Sequence, residues 1–293
     1  MTHRDRLELV LLAAVWGASF LFMRIAAPEF GAIALAEMRI AIGALFLLLV
    51  LLWRGGVREL AQAPLQLTTV GLFNSAMPFA LFAYGTLYVS AGTGAVVNAT
   101  APLFAAVVGY VWLRVRLDIL QSLGLAIGFA GVLLLVWDRF ALNVDGAGLA
   151  TGACLLATFS YGVAANYTKK ALSGVRPLVN AAGSQLAASV LLMPLAIAYW
   201  PDEAVSTKSW LSAIALGVVC TGVAYILYFR LIARLGPTRA ISVTYLIPVF
   251  GIFWGVIFLG ETVSMGMLVA GAIILVGIAL TSGGLRPGGR QDA

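Results

Sequence analysis

Residues 95–113 read AVVNATAPLFAAVVGYVWL, and residues 241–259 read ISVTYLIPVFGIFWGVIFL. Sliding the first along by 146 positions lays Pro102 on Pro248, Phe104 on Phe250 and Gly109 on Gly255. Each stretch is apolar and about long enough to cross a bilayer at ~1.5 Å of helical rise per residue. Each carries a proline near its middle, which cannot donate to the carbonyl four residues back. Those carbonyls belong to Asn98 and Thr244, both polar and themselves related by the same shift. An unsatisfied carbonyl in lipid costs several kcal/mol, so a helix broken there must face protein or a watery cavity. Two broken, repeat-related spans point to the binding site of a transporter. The plainer alternative is a pair of kinked helices that serve packing alone.

The composition agrees with a membrane protein. Sixty-two per cent of the chain is hydrophobic and 10% is charged, which excludes an ordinary soluble domain. The net charge of +6 does not imply nucleic acid, because the basic residues form no patch interleaved with aromatics. They sit in short groups between apolar runs, as topogenic charge does. Cys154 and Cys220 lie inside predicted spans without CxxC or metal-ligand spacing, and read as small core residues. His3 stands alone in a polar tail, and no GxxxxGK stretch offers an ATP engine. Neither a cofactor nor a metal is expected. The spans hold no Ser/His/Asp, Cys/His or paired-carboxylate constellation, which argues against an enzyme.

Ten spans follow from the hydropathy: 7–26, 31–53, 66–88, 92–113, 119–137, 147–169, 177–199, 210–233, 239–259 and 264–282. With the N-terminus cytoplasmic, the inner segments hold fourteen Lys and Arg, among them Arg4, Arg54, Arg114, Lys169 and Arg230. The outer side keeps four: Arg24, Arg39, Arg139 and Lys208. That bias places both termini inside. The repeat extends along the chain: Trp16-Gly17 matches Tyr161-Gly162 at a shift of 145, and Gly71, Phe79 and Gly131 match Gly217, Tyr225 and Gly277 at 146. The fold class expected is therefore an all-α integral membrane protein of two five-helix repeats, residues 1–140 and 141–293. An odd number of spans per repeat makes the second half enter the membrane inverted, around a pseudo-twofold axis in the membrane plane. Span 1 follows a short basic head like a signal peptide, but its partner in span 6 argues against cleavage.

In order along the chain come Trp16-Gly17-x-Ser19-Phe20 with Arg24, then Arg39, then Ala101-Pro102-Leu103-Phe104, Pro248-Val249-Phe250 and Leu259-Gly260-Glu261. On these residues the sequence resembles the EamA-type carriers of the drug/metabolite transporter superfamily over essentially its whole length. It looks closest to bacterial exporters of aromatic and other amino acids. The resemblance implies a carrier in the bacterial inner membrane, without a cofactor, and does not fix the substrate. Many relatives carry a glutamate after span 4, where this chain has Val115.

The candidate substrate-binding residues are Trp16, Ser19, Phe20, Asn74, Asn98, Tyr161, Tyr225, Thr244 and Tyr245. Trp16 and Tyr161 lie too deep for the interfacial aromatic belt. Asn74 stands four before Pro78, as Asn98 does before Pro102, so Pro78, Pro102 and Pro248 are the expected breaks. The polar residues would serve equally in helix–helix hydrogen bonds, and the rings in bundle packing. Arg39 is a costly charge inside span 2, and we expect it to pair with Glu261 as a structural or gating ion pair. Glu37, two residues away, points to another face. Spans 5 and 10 have almost no polar residues at their centres, which suits the periphery or a weak dimer contact. The expected partners are thus the bilayer and a small molecule, a zwitterionic amino acid suiting the neutral, aromatic mid-membrane positions. Efflux of hydrophobic toxins is the second carrier reading. Acids cluster at loops and ends, so net flux is expected to need no proton.

Overall fold

The computed structural model describes residues 2–141, 146–236, 240 and 243–282, apart from the side chains of 138–141. Among these residues there are helices and turns and no strand. Eight helices are long and apolar enough to span: α1 (His3–Phe30), α2 (Ala32–Arg54), α3 (Pro64–Tyr88), α4 (Ala91–Leu113), α5 (Ile119–Ala141), α6 (Ala147–Ala171), α7 (Pro177–Ala198) and α8 (Thr207–Leu235). Two shorter apolar helices follow, α9 (Val243–Leu259) and α10 (Met265–Thr281). Large apolar side chains such as Leu45, Trp53, Leu133, Trp137, Leu149, Ile197 and Phe258 stand exposed on the outside. In water such a surface would aggregate, and in lipid it is the expected coat.

The helix ends are set by local chemistry. Thr2 and Asp5 form a reciprocal capping box on α1, with Thr2 N donating to Asp5 Oδ2 at 2.9 Å. Ser90, Ser206 and Ser264 each cap the helix that follows, accepting from the backbone N–H three residues on. Gly31 and Gly55 stop α1 and α2 with positive φ.

Helix α3 is continuous but changes to π-helical winding over Leu72–Ala76, just before Pro78. Its N–H bonds there skip to the fifth residue back, Met77 to Leu72, so the proline's missing donor falls where the register is already shifted. Helix α8 repeats the feature over Val218–Val223, starting 146 residues later, without a proline. There Thr221 Oγ1 donates to the Leu216 carbonyl at 2.9 Å.

The two prolines that opened the sequence reading behave differently. Helix α4 is interrupted at Ala99–Thr100, and its second half, Ala101–Leu113, starts with Pro102 in the first turn. Thr100 holds the break, its hydroxyl donating to the Val97 carbonyl at 2.7 Å. Pro248 instead lies inside α9, which runs unbroken from Val243 to Leu259. The expected second break is corrected to a proline inside a continuous helix. Pro248 frees one carbonyl, that of Thr244, and a membrane helix continues past a proline where packed neighbours re-satisfy that group. Residues 237–239, 241 and 242 lie outside the described residues.

Packing recurs at a step of five helices. Helix α1 lies on α9 and α8, and α6 lies on α4 and α3; α2 packs on α8 and α7 on α3. The pairs α2–α7, α4–α9 and α5–α10 are their own counterparts under that step. Two of the close glycine crossings lie beside candidate binding residues. A Cβ on Gly17 would stand 2.9 Å from Gly251 N, and one on Gly162 would stand 2.8 Å from Ala105 N. These crossings press α1 onto α9 and α6 onto α4, and so fix the adjacent rings of Trp16 and Tyr161.

Candidate functional site

A cavity of about 280 Å³ lies within the bundle, lined from α1, α2, α3, α4, α6, α8 and α9. Eight of the nine candidate binding residues meet on its wall: Trp16, Ser19, Phe20, Asn74, Asn98, Tyr161, Tyr225 and Thr244. Pro102 lines it too, at the break in α4, whereas Pro78 is buried behind the π turn of α3. The rings interlock: Phe20 meets Phe82 edge-on at 5.6 Å, Phe82 stacks on Tyr161 at 6.2 Å, and Trp16 tilts against Tyr228 at 5.2 Å. The wall is thus mostly apolar with a few fixed polar groups, the usual make-up of a small-molecule site.

The polar groups come from the irregular turns. Asn74, inside the π stretch of α3, donates Nδ2 to the Tyr225 hydroxyl at 3.1 Å, which leaves its carbonyl oxygen as an acceptor. Asn98, the last residue before the break in α4, makes no side-chain hydrogen bond to another described residue and lines the cavity. Thr221, in the π stretch of α8, accepts from Arg39 Nε at 3.2 Å. Arg39 is 8% exposed and its guanidinium carbon lies over the Phe79 ring, 3.7 Å from the centroid.

The sequence profile of the EamA-like transporter family matches residues 7–137 and again 149–283. The chain belongs to that family. The uncharacterized transporter YoaV of Bacillus subtilis strain 168 is 22% identical over 283 residues, covering 94% of this chain and 96% of that one. A probable terminal-alkyne amino-acid exporter of Streptantibioticus cattleyicolor is 25% identical, with 93% and 91% covered. The uncharacterized inner membrane transporter YedA of Escherichia coli K12 is 26% identical, with 94% and 90% covered. One protein of known crystal structure superposes with a TM-score of 0.66 at 21% identity, covering 96% of this chain and 98% of that one. At that identity the likeness speaks for the fold alone.

Two sequence expectations for this EamA-family chain are corrected. Glu261 does not pair with Arg39. Its carboxylate accepts from Ala91 N at 2.8 Å and Gly92 N at 3.4 Å, at the N-terminus of α4, and lies 3.9 Å from Arg24 Nε. A helix N-terminus offers free N–H groups and a positive dipole end, so it competes well for an acid. The missing Cβ of Gly255 leaves the space that the carboxylate fills. Arg24 in turn donates to the Leu87 carbonyl at 2.9 Å, at the end of α3, so it ties helices together there. Tyr245 is the second correction. Its hydroxyl bonds to Ser282, after α10, and the residue stays off the cavity wall. It sits one position past Thr244, which turns it by about 100° to the other side of α9.

Residues the sequence reading passed over also line the site: Phe79, Phe82, Cys220, Thr221 and Tyr228. Cys220, read as core, donates Sγ to the Val15 carbonyl at 3.2 Å while bordering the cavity. The shift of 146 was the available signal. It carries Phe79 to Tyr225, Phe82 to Tyr228 and Asn74 to Cys220, so these three pairs of wall residues are related by the repeat.

Proposed function

We propose that this EamA-family transporter exports amino acids with apolar side chains, or similar small metabolites, across the bacterial inner membrane by alternating access. The observation that carries the reading is the cavity itself, walled from α1, α3 and α4 and from α6, α8 and α9, with several of its residues related by the repeat. Its ~280 Å³ lies just below the range of drug-sized pockets, about 300–1,000 Å³, and suits a small cargo. The two family matches and the five-helix step in packing support two inverted repeats, with both termini cytoplasmic by the Lys and Arg bias. An exporter of an amino acid among the relatives supports that substrate class. Efflux of hydrophobic toxins is the second reading, favoured by the ring-lined wall; the Asn74 and Asn98 amides on that wall favour the first. We take the protein as a monomer or weak homodimer.

Among the described residues no carboxylate lines the cavity. Flux therefore runs down the substrate's own gradient in our reading. The test is counterflow in proteoliposomes with labelled phenylalanine, leucine and alanine, against cationic dyes. Exchange of an amino acid, lost in Trp16→Ala and Asn98→Ala while both stay folded, is the expected outcome. Dye exchange without amino-acid exchange favours the toxin reading. Accumulation driven by an imposed pH gradient alone overturns the uncoupled one.

A further inference from the structure

We propose that Arg39 is the anchor for a substrate carboxylate, so that the cargo is a small organic acid with an apolar body. The inference rests on the transporter reading and narrows its substrate class. Arg39 sits within the span of α2 and its side chain borders the cavity. A charge at such a depth must face a partner or water. Its partners in the protein are neutral: the Thr221 hydroxyl, the Met23 sulfur at 3.8 Å and the face of Phe79. Those contacts orient the guanidinium and leave its charge uncompensated. A guanidinium carries five donors in a fixed fork, and these contacts occupy two of them.

The acids that might neutralise it are engaged elsewhere. Glu261 holds the start of α4 and Arg24. Asp5 and Glu8 pair with Arg230 and Arg234 at the far end of α1. Glu37, two residues from Arg39, is turned to α7, where Oε1 accepts from the Ser189 hydroxyl. Among the described residues no carboxylate lies within ion-pair distance of Arg39. A structural role does not demand the charge: the shift of 146 carries Arg39 to Gln185, a neutral, fully buried residue in the matching helix.

The surroundings then define the ligand. A planar fork suits a carboxylate held by parallel N–H···O bonds. Phe79, Phe82 and Tyr161 offer an apolar wall beside it. The free oxygens of Asn74 and Asn98 accept from an ammonium group on the same ligand, as an amino acid would supply. The carboxylate gives the affinity for Arg39, and the amides decide whether an amine is also required.

Binding to the purified full-length protein, followed by calorimetry, separates these features. The probes are phenylalanine, its methyl ester, 2-phenylethylamine and 3-phenylpropionate, with leucine and its methyl ester as a smaller pair. The acids should bind about tenfold or more tightly than the matching ester and amine, the usual size of a hydrogen bond to a charged group. Arg39→Gln should erase that difference, and Arg39→Lys should keep part of it because the charge stays and the fork goes. The ligand series on the unaltered protein decides the matter even where a variant fails to fold. Equal binding of acid and ester, or no binding of any acid, overturns the proposal. If 3-phenylpropionate and not phenylalanine shows the preference, the carboxylate anchor stands and the amino-acid reading falls.

Discussion

Helices α4 and α9 end in the same way and then do different things. The first ends at Arg114, with φ of 55°, and the second at Gly260, with φ of 63°. In each, the next N–H reaches six residues back, Val115 to Gly109 and Glu261 to Gly255, both at 3.1 Å. The backbone turn is a copy, displaced by 146 residues. The side chain that follows is not. Glu261 crosses to the start of α4 and meets Arg24, which holds the end of α3, so one end of the bundle is clasped through α1, α3, α4 and α9. Val115 is an exposed aliphatic side chain with nothing to donate or accept. At that opposite end the ties run between α1 and α8, from Asp5 and Glu8 to Arg230 and Arg234. A fold can therefore recur faithfully while the ties at its two ends differ. For a carrier that must part its two ends in turn, unequal locks set which end opens more readily. The clasped end is the outer one in the orientation we propose.

The largest expected effect breaks the clasp. Glu261→Ala leaves the first N–H groups of α4 and the Arg24 charge without their acceptor, a loss of about 1.5–3 kcal/mol. Val115→Ala, at the matching position, removes two exposed methyl groups and should stay within about 0.5 kcal/mol. Thermal unfolding of both variants in detergent measures the contrast. Equal shifts would mean that the two ends are held alike and that the Glu261 contacts add nothing.

The next effect asks whether the halves cross equally tightly. Gly17→Ala sets a methyl 2.7 Å from Phe250 Cβ, and Gly162→Ala sets one 2.8 Å from the Phe104 carbonyl carbon. Both sit against a neighbouring backbone that cannot give way, so each should cost about 1–3 kcal/mol. Each should also weaken transport, because Trp16 and Tyr161 are the neighbours that the crossing aims into the cavity. Tolerance of one change and not the other would show that only one crossing holds the site. Melting temperature and counterflow rate, read together, distinguish a shifted ring from a lost fold.

The sequence carried more of the wall than of the locks, and the reason is physical. Period and spacing reveal which residues recur at depth, and depth in a membrane already excludes most roles for Trp16, Asn98 or Tyr161. Their meeting around one cavity follows from the crossings at Gly17 and Gly162, whose pattern is visible as a repeated pair. Charge pairing is not visible in that way. Arg39 and Glu261 read as partners because Glu37, the nearer acid, falls on another face of its helix. The choice was made by a turn at Gly260 and an open helix start at Ala91, features of direction rather than of depth. Tyr245 was misplaced for a similar reason, one residue of helical rotation. Pro248 reads as a break because it cannot donate to the Thr244 carbonyl, but one lost hydrogen bond does not by itself end a helix, and packed neighbours in a membrane bundle re-satisfy such carbonyls.

The smallest expected effect concerns the copied turn itself. A left-handed φ costs an L-residue with a Cβ about 1–2 kcal/mol, and glycine avoids that cost. The two ends should therefore respond with opposite signs. Gly260→Ala places a methyl group on a backbone at φ of 63° and should destabilise by about 1 kcal/mol. Arg114→Gly relieves the same strain at φ of 55°, but glycine gains freedom in the unfolded chain and returns part of the benefit. The net stabilisation should be roughly 0.5 kcal/mol. Removing the Arg114 charge also weakens the topogenic bias, so Arg114→Asn and Arg114→Lys complete the set: asparagine loses the charge but tolerates the left-handed region, and lysine keeps the charge but does not. Unfolding midpoints in the order Gly above Asn above Lys mean that backbone strain governs this turn. If Lys equals Arg and both exceed Asn and Gly, the charge outweighs the strain, and the turn is held by its basic side chain rather than in spite of it.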